Sequence, residues 1–389
     1  MSEPDPALSV ISIPHLPALQ FAGDAETPFG RLRVLLCIDA DRPHEFLAQW
    51  TADSNDTNLS GGCLFTATVA SPNGWTLHPE VIFRACSGEG LFSNFALSIE
   101  ERAWKDAAKV ELRLEGNTLV GTWSNTQGAH GSIYLRARPP KNAIAAQLCS
   151  TWEDFRRWAE QLRAEGRGHW FRGQGDARKM LLTTLHRLRR YRLDRYLRDE
   201  LPRFSVQAEA ALNRPLDMAN AKDYSVVMGL ARHHGMPTPV LDWTASPYIA
   251  AFFAFADAIE SQDANDPPQH VRVYALSNEF VSSTAPPIVT MFKPRPFVAT
   301  LMVGPIHNPR LSAQQGAFLI TNVGDVETMI VEVEQLTGKR LIAAADIPAQ
   351  LAASVLKDLA FMGLNASTMF PGLDGIGRTI RHEMLSGSG

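Results

Sequence analysis

The sequence predicts an α+β protein in two parts, a β-rich barrel or sandwich over residues 1–140 and a mixed α+β unit over 141–385. Three features carry that reading. Short runs alternating apolar and polar residues fill the first third of the chain, separated by Gly, Asn, Asp and Ser clusters. Pro139-Pro140-Lys141-Asn142 breaks the alternation, and helical spacing takes over. From His233 to Ala254, histidines, turn prolines, an acid and hydroxyls run straight into an apolar helix. A length of 389 residues exceeds one ordinary domain, and 45% hydrophobic with 20% charged residues suits a globular protein.

In the first part, Arg31–Ile38, Cys63–Val69, Val110–Leu114 and Ser132–Ala137 read as strands with one buried face. Ser60-Gly61-Gly62 and Gly116-Asn117 supply turns. Leu119–Trp123, followed by Gly128 and Gly131–Ile133, predicts a hairpin that closes a small barrel or sandwich, with a packed core favoured over a ligand cavity.

The second part opens on a helix. Thr151 is its expected N-cap and Asp154 stands at the capping-box position. Trp152, Phe155, Trp158, Ala159 and Leu162 follow at helical spacing. His169–Gly173 reads as a buried strand running into the turn Gly173-Gln174-Gly175. Thr184–Leu212 reads as an arginine-rich helical stretch whose interleaved acids suggest a solvated face, or failing that a surface for an anionic partner. A helix is expected over Tyr224–His233. Another should start with Ser246 as N-cap and Pro247 at the first helical position, with Ile249, Phe252, Phe253 and Ala256 on its apolar face. Val271–Leu276, Ala317–Ile320 and Glu327–Val333 are strand candidates. A last helix is expected from near Asp346-Ile347-Pro348, carrying Leu351, Val355, Leu356 and Leu359.

Composition excludes several classes. A net charge of −4 argues against a generally basic nucleic-acid binder. Cys37, Cys63, Cys86 and Cys149 have no CxxC spacing, which suits free thiols in a reducing compartment. The start, Met1–Pro6, lacks the basic and apolar regions of a signal peptide, and the longest apolar run, Tyr248–Ala256, is too short to span a bilayer. A cytoplasmic protein without a membrane partner is therefore expected. Ser386–Gly389 reads as a flexible tail. Gly173-Gln174-Gly175 is neither a dinucleotide fingerprint nor a Walker loop, and no Gly-x-Ser-x-Gly elbow is present. His233, His234 and Asp242 lack metal-ligand spacing, so no metal is expected.

The chemistry therefore concentrates at two places. Arg172 sits within an apolar strand and needs an anionic partner. That partner is either a structural acid such as Asp242 or Asp176, or a ligand phosphate or ribose, with Gly173 opening the backbone to it. The polar cluster at the start of the helix after Thr244 suits an anion, because a helix N-terminus presents free N–H groups. His234 with Asp242 would also suit a base pair in a hydrolase.

Together these blocks resemble the FRG domain, whose Phe-Arg-Gly motif corresponds to Phe171-Arg172-Gly173 with Gln174 next. The run from His234 through Phe253 matches the family's central pattern, with Val240 where Leu is usual. Arg310, Gln314, Gly316 and Phe318 match a later element, and Met369–Gly375 is similar to its closing run. More distantly the order resembles the ADP-ribosyltransferase fold: Arg172-Gly173 on one strand, Thr244-Ala245-Ser246 before an Ala/Phe helix, and Gln314 where many of those enzymes carry Glu. This second resemblance implies NAD as substrate. Arg172, Thr244 and Gln314 would then be catalytic, and Arg172, Gly173, Gln174, His234, Asp242, Thr244 and Ser246 would contact the nucleotide. It also implies a protein or nucleic-acid acceptor selected by the N-terminal part, as in a bacterial toxin or antiphage effector. The glutamine lacks the charge that stabilises an oxocarbenium-like state. A nucleotide- or nucleic-acid-binding module without turnover is the alternative.

Overall fold

The computed structural model describes residues 16–28, 30–52, 60–85, 92–93, 107–125, 128–166, 168–261, 266–283, 296–301, 309–385 and 387. Met1–Pro6, Cys86, Arg167, Ser386, Ser388 and Gly389 lie outside the described residues.

The first sheet comprises β1 (Gln20–Thr27), β2 (Gly30–Asp39), β3 (Arg42–Ala52), β4 (Gly61–Ser71), β5 (Gly74–Ala85), β6 (Phe92–Ser93), β7 (Lys109–Glu115), β8 (Thr118–Ser124) and β9 (His130–Ala137). Neighbouring strands pair antiparallel. The β4–β5 and β1–β9 ladders complete the circuit, so eight strands form a closed barrel, with the two-residue β6 beside β5. Closure selects the barrel over the sandwich and leaves no free edge among those eight strands. Strand β2 shows why alternation is legible. Leu36 and Ile38 belong to the barrel core, whereas Leu35 and Cys37 face outward into a core shared with the rest of the chain.

The second sheet has the spatial order β10 (Ala146–Leu148), β16 (Ile342–Pro348), β13 (His270–Ser277), β11 (His169–Gln174), β12 (Val240–Thr244), β15 (Gly316–Thr321) and β14 (Val298–Leu301). Only β10–β16 is parallel. Helix α1 (Trp152–Ala164) has the expected capping box between Thr151 and Asp154 and buries Phe155, Trp158, Ala159 and Leu162. Later come α2 (Thr184–Arg187), α3 (Leu201–Leu212), α4 (Ala221–His233), α5 (Pro247–Glu260), α6 (Val326–Thr337), α7 (Ala352–Phe361) and α8 (Leu373–Leu385). One face of the sheet packs Phe171, Val271 and Val273 against α1 and α5. The other packs Leu241, Trp243, Tyr274 and Leu276 against α6.

Two local expectations change. Glu327–Val333 is helix, not strand: it lies inside α6. The β-branched run favours a strand by propensity, but a tertiary anchor prevails. The Glu327 carboxylate is buried, accepts the N–H groups of Ala143, Ile144 and Leu181, and takes a hydrogen bond from the Tyr274 hydroxyl. Asp346–Pro348 ends a strand instead of starting a helix. Asp346 faces Arg272 across the β13–β16 ladder and accepts two guanidinium bonds at 2.7 and 2.8 Å, so the strand continues and α7 begins only at Ala352.

The arginine-rich stretch divides: Arg187, Arg189 and Arg198 are exposed, with Arg198 near Asp194 at i,i+4 spacing, whereas Arg190, Arg192 and Arg195 turn inward. It breaks after α2 and turns back at Arg189, whose φ is 57°. A helical turn, Leu193–Arg195, and a π-helical turn, Tyr196–Glu200, then lead into α3. Arg190, Arg192 and Arg195 point at the β2–β3 hairpin of the barrel, where they meet Asp39, Asp41 and Glu45. Asp39 is fully buried and accepts four hydrogen bonds: from the main-chain N–H of Tyr191 and Arg192, from Arg190 Nε and from Arg195 Nη1. Asp39, Asp41 and Glu45 lie about 150 residues upstream, beyond the reach of any local pattern, while the interleaved Glu200 and Asp194 pair with Arg190 and Arg192.

Cys37 and Cys149 are free and buried, and Cys63 is buried too; burial pushes the Cys37 thiol up to about 12 and the Cys149 thiol to about 11. Among the described residues no helix is long and apolar enough to cross a membrane.

Candidate functional site

The site begins where the second sheet splits. β11 and β13 share six register pairs and β12 and β15 share five, but β11 and β12 share only Phe171↔Thr244. Thr244 in turn pairs with Gly316 on β15. This line across three strands sets Arg172 beside the pair and brings the turn before β15, which carries Gln314, to the same place. A cavity of about 610 Å³ opens there, within the usual range of about 300–1,000 Å³ for ligand sites.

Arg172 fills the gap in the ladder. Its Nη1 donates to the Asp242 carbonyl oxygen at 2.7 Å and lies 3.7 Å from the Asp242 carboxylate, while its Nε is buried with no protein partner among the described residues. Burial lowers the Arg172 pKa, Asp242 opposes that shift, and Arg232 and Arg187 add to it. The acid's principal partner is Arg232 on α4, which holds it through Nε at 3.1 and 3.0 Å and Nη2 at 2.5 Å. Burial would raise the Asp242 pKa, but Arg232 and Arg172 outweigh it and hold the carboxyl below the ordinary range. Asp242 therefore pairs with Arg232 and not with His234, which removes the basis for a hydrolytic base pair.

Thr244 is buried, and its hydroxyl oxygen accepts the Ser246 N–H. Gln314 follows the helical turn Pro309–Ala313 and donates through Nε2 to the Met369 carbonyl at 3.0 Å. Gln174 lines the cavity too. Its amide nitrogen is spent on the carbonyls of Asp176 and Lys179, which leaves Oε1 buried and unpartnered among the described residues. Gly173 has a different reason from the one expected. A Cβ there would lie 1.8 Å from the Ala250 carbonyl oxygen and 2.8 Å from the Ala254 nitrogen, so the glycine lets α5 press onto β11. His234 and Ser246 are not among the cavity-lining residues. His234 is the exposed C-cap of α4, and Ser246 caps α5 by accepting the Ile249 N–H.

Residues 167–263 match the family model of the FRG domain. The chain carries an FRG domain. No curated protein matches the chain. A solved structure, described as a de novo designed fluorescence-activating beta barrel, is similar over 33% of this chain and 98% of its own, at 12% identity and a TM-score of 0.21. The FRG match holds Arg172, Gln174, Arg232, Asp242 and Thr244, while Arg310, Gln314, Phe370 and Arg378 reach the same cavity from beyond it.

Among the described residues, six cations line the FRG-domain cavity: Arg172, Lys179, Arg187, Arg232, Arg310 and Arg378. Two carboxylates accompany them, Asp242 and Asp257. Neither acid is idle, since Asp257 accepts the Gly175 N–H at 3.1 Å. Lys179, Arg187 and Arg378 form no ion pair among the described residues. Arg310 pairs with Asp374, and Arg310 and Arg378 stand 5.3 and 4.7 Å from the Phe370 ring centre. Sequence reasoning missed Lys179, Arg187, Arg232, Phe370 and Arg378 as members of the site. Arg232 lay one residue before the histidines on a helix that ends at the site, Phe370 stood in the Met369–Gly375 run, and Arg187 stood in the arginine-rich stretch. Among the described residues no group of His, Cys, Asp and Glu could hold a metal ion.

Proposed function

We propose that the FRG-domain cavity binds a nucleotide carrying a diphosphate, with NAD as the ligand, in the manner of an ADP-ribosyltransferase. The supporting observation is the register line Phe171–Thr244–Gly316, which gathers Arg172, Thr244 and Gln314 at a cavity with six cations. Cations in a partly desolvated cleft attract phosphate more strongly than they would in water, and an arginine fork matches its oxygens. Arg172, preorganised by its bond to the Asp242 carbonyl, holds the diphosphate together with Arg187. Thr244 faces a ribose hydroxyl, and Gln314 orients the nicotinamide-side ribose. In transfer, the bond from ribose C1′ to the nicotinamide nitrogen breaks, nicotinamide leaves, and C1′ bonds to an acceptor nucleophile that gives up its proton.

One observation favours binding without turnover as the second reading. Gln314 is uncharged, its amide is already bonded to the Met369 carbonyl, and Asp242 and Asp257 are both engaged. Calorimetric titration of the full chain with NAD and with ADP-ribose tests the shared premise. Saturable binding to wild type, weakened at least tenfold in Arg172→Ala, is expected, and no binding of either ligand refutes the proposal. Release of labelled nicotinamide, or transfer of labelled ADP-ribose, then decides between the two readings.

A further inference from the structure

The barrel is packed toward one end and leaves a pocket toward the other. At one end Phe21, Phe46 and Trp75 are buried and plug the interior, with Phe46 and Trp75 ring centres 6.3 Å apart. Toward the other end the inward positions of β1 and β3 carry Ala25 and Ala48, and a cavity of about 200 Å³ remains. The space is partly open to solvent, so a small molecule can reach its walls without the barrel unfolding. Its walls are apolar side chains, including Phe65, Leu112, Trp50 and Trp123. No charged residue is among the described lining residues, and the polar ones, Thr27 and Ser124, are the last residues of their strands. Trp123 is held in place by its indole N–H, which donates to the Glu26 carbonyl at 2.9 Å. Water beside these walls finds few polar partners.

We infer that this end of the barrel is a binding site for a compact, uncharged, apolar molecule of one or two rings. A closed eight-stranded barrel is just wide enough either to be filled by its own side chains or to hold one small ligand, and here small residues leave the second option open. A dry engineered cavity of about 150 Å³ takes benzene, so about 200 Å³ has room for a somewhat larger ring system. The indole faces of Trp50 and Trp123 give aromatic guests an offset or edge-on partner. With no charge among the described lining residues, carboxylates and phosphates would be stripped of water without compensation, which disfavours them. This site is separate from the FRG-domain cavity and does not depend on what that cavity binds.

Naphthalene is the test probe, added to the full chain. Saturable one-site binding is expected, with intermolecular NOEs to the indole protons of Trp50 and Trp123 and a rise in Tm. Ala48→Phe and Ala25→Leu each fill the space and should weaken binding at least tenfold while retaining the wild-type circular dichroism spectrum. Absence of NOEs to both tryptophans in wild type at saturating naphthalene overturns the inference, whether or not the variants fold. Unchanged affinity in either folded variant overturns it as well.

Discussion

Replacing Asp39 with alanine tests the junction between the barrel and the second sheet. The carboxylate is fully buried and accepts from Tyr191 N at 2.6 Å, Arg192 N at 2.9 Å, Arg190 Nε at 3.1 Å and Arg195 Nη1 at 2.6 Å. Alanine orphans two buried main-chain N–H groups, each costing about 1–3 kcal/mol. The guanidinium groups suffer less, since Arg195 keeps Asp41 and Arg190 keeps Glu200. Breaking one partner of a buried ion pair costs about 3–5 kcal/mol, and because these losses overlap, about 3–5 kcal/mol is expected in total. Asp39→Asn keeps an oxygen for the main-chain donors but sets an amide against the arginines, so it should recover part of the loss. Urea unfolding followed by circular dichroism and tryptophan fluorescence measures both variants. A loss below about 1 kcal/mol for Asp39→Ala would refute the reasoning, because the main-chain donors would then have to be satisfied elsewhere.

Two further outcomes follow from the site. Gly173→Ala forces a Cβ onto the Ala250 carbonyl, so it should destabilise the fold by about 3 kcal/mol, at the upper end of overpacking costs, or prevent folding; unchanged stability with lost ligand binding would instead assign the glycine to the ligand. Asp242 has a depressed pKa, so its contribution is fully present above the unfolded value of about 3.9 and is lost as pH falls through the lower folded value. Asp242→Asn should therefore lower stability at neutral pH and flatten the acid limb of the stability profile below about pH 5; an acid limb identical to wild type would show that the Arg232 pair does not carry that dependence.

Much of the local structure was determined by the sequence alone. Alternation on β2 and β9, the Thr151–Asp154 capping box, and Ser246-Pro247 at the start of α5 act over one turn or one pleat, so they are readable where they occur. The Phe171-Arg172-Gly173 motif and the block after His233 likewise marked the FRG domain. Helix α6 is one exception, because a β-branched run mimics a strand until the buried Glu327 finds its donors on Ala143, Ile144 and Leu181. The partners were decided by tertiary structure. Strand register gathered Arg172, Thr244 and Gln314, packing turned Arg232 onto Asp242, and the barrel's Asp39, Asp41 and Glu45 claimed arginines whose pattern suggests a solvent-facing helix. Periodicity reports that a side chain is buried or exposed on its own element. Which charge it meets can depend on a segment as far as 156 residues away, and only the folded chain brings the two together.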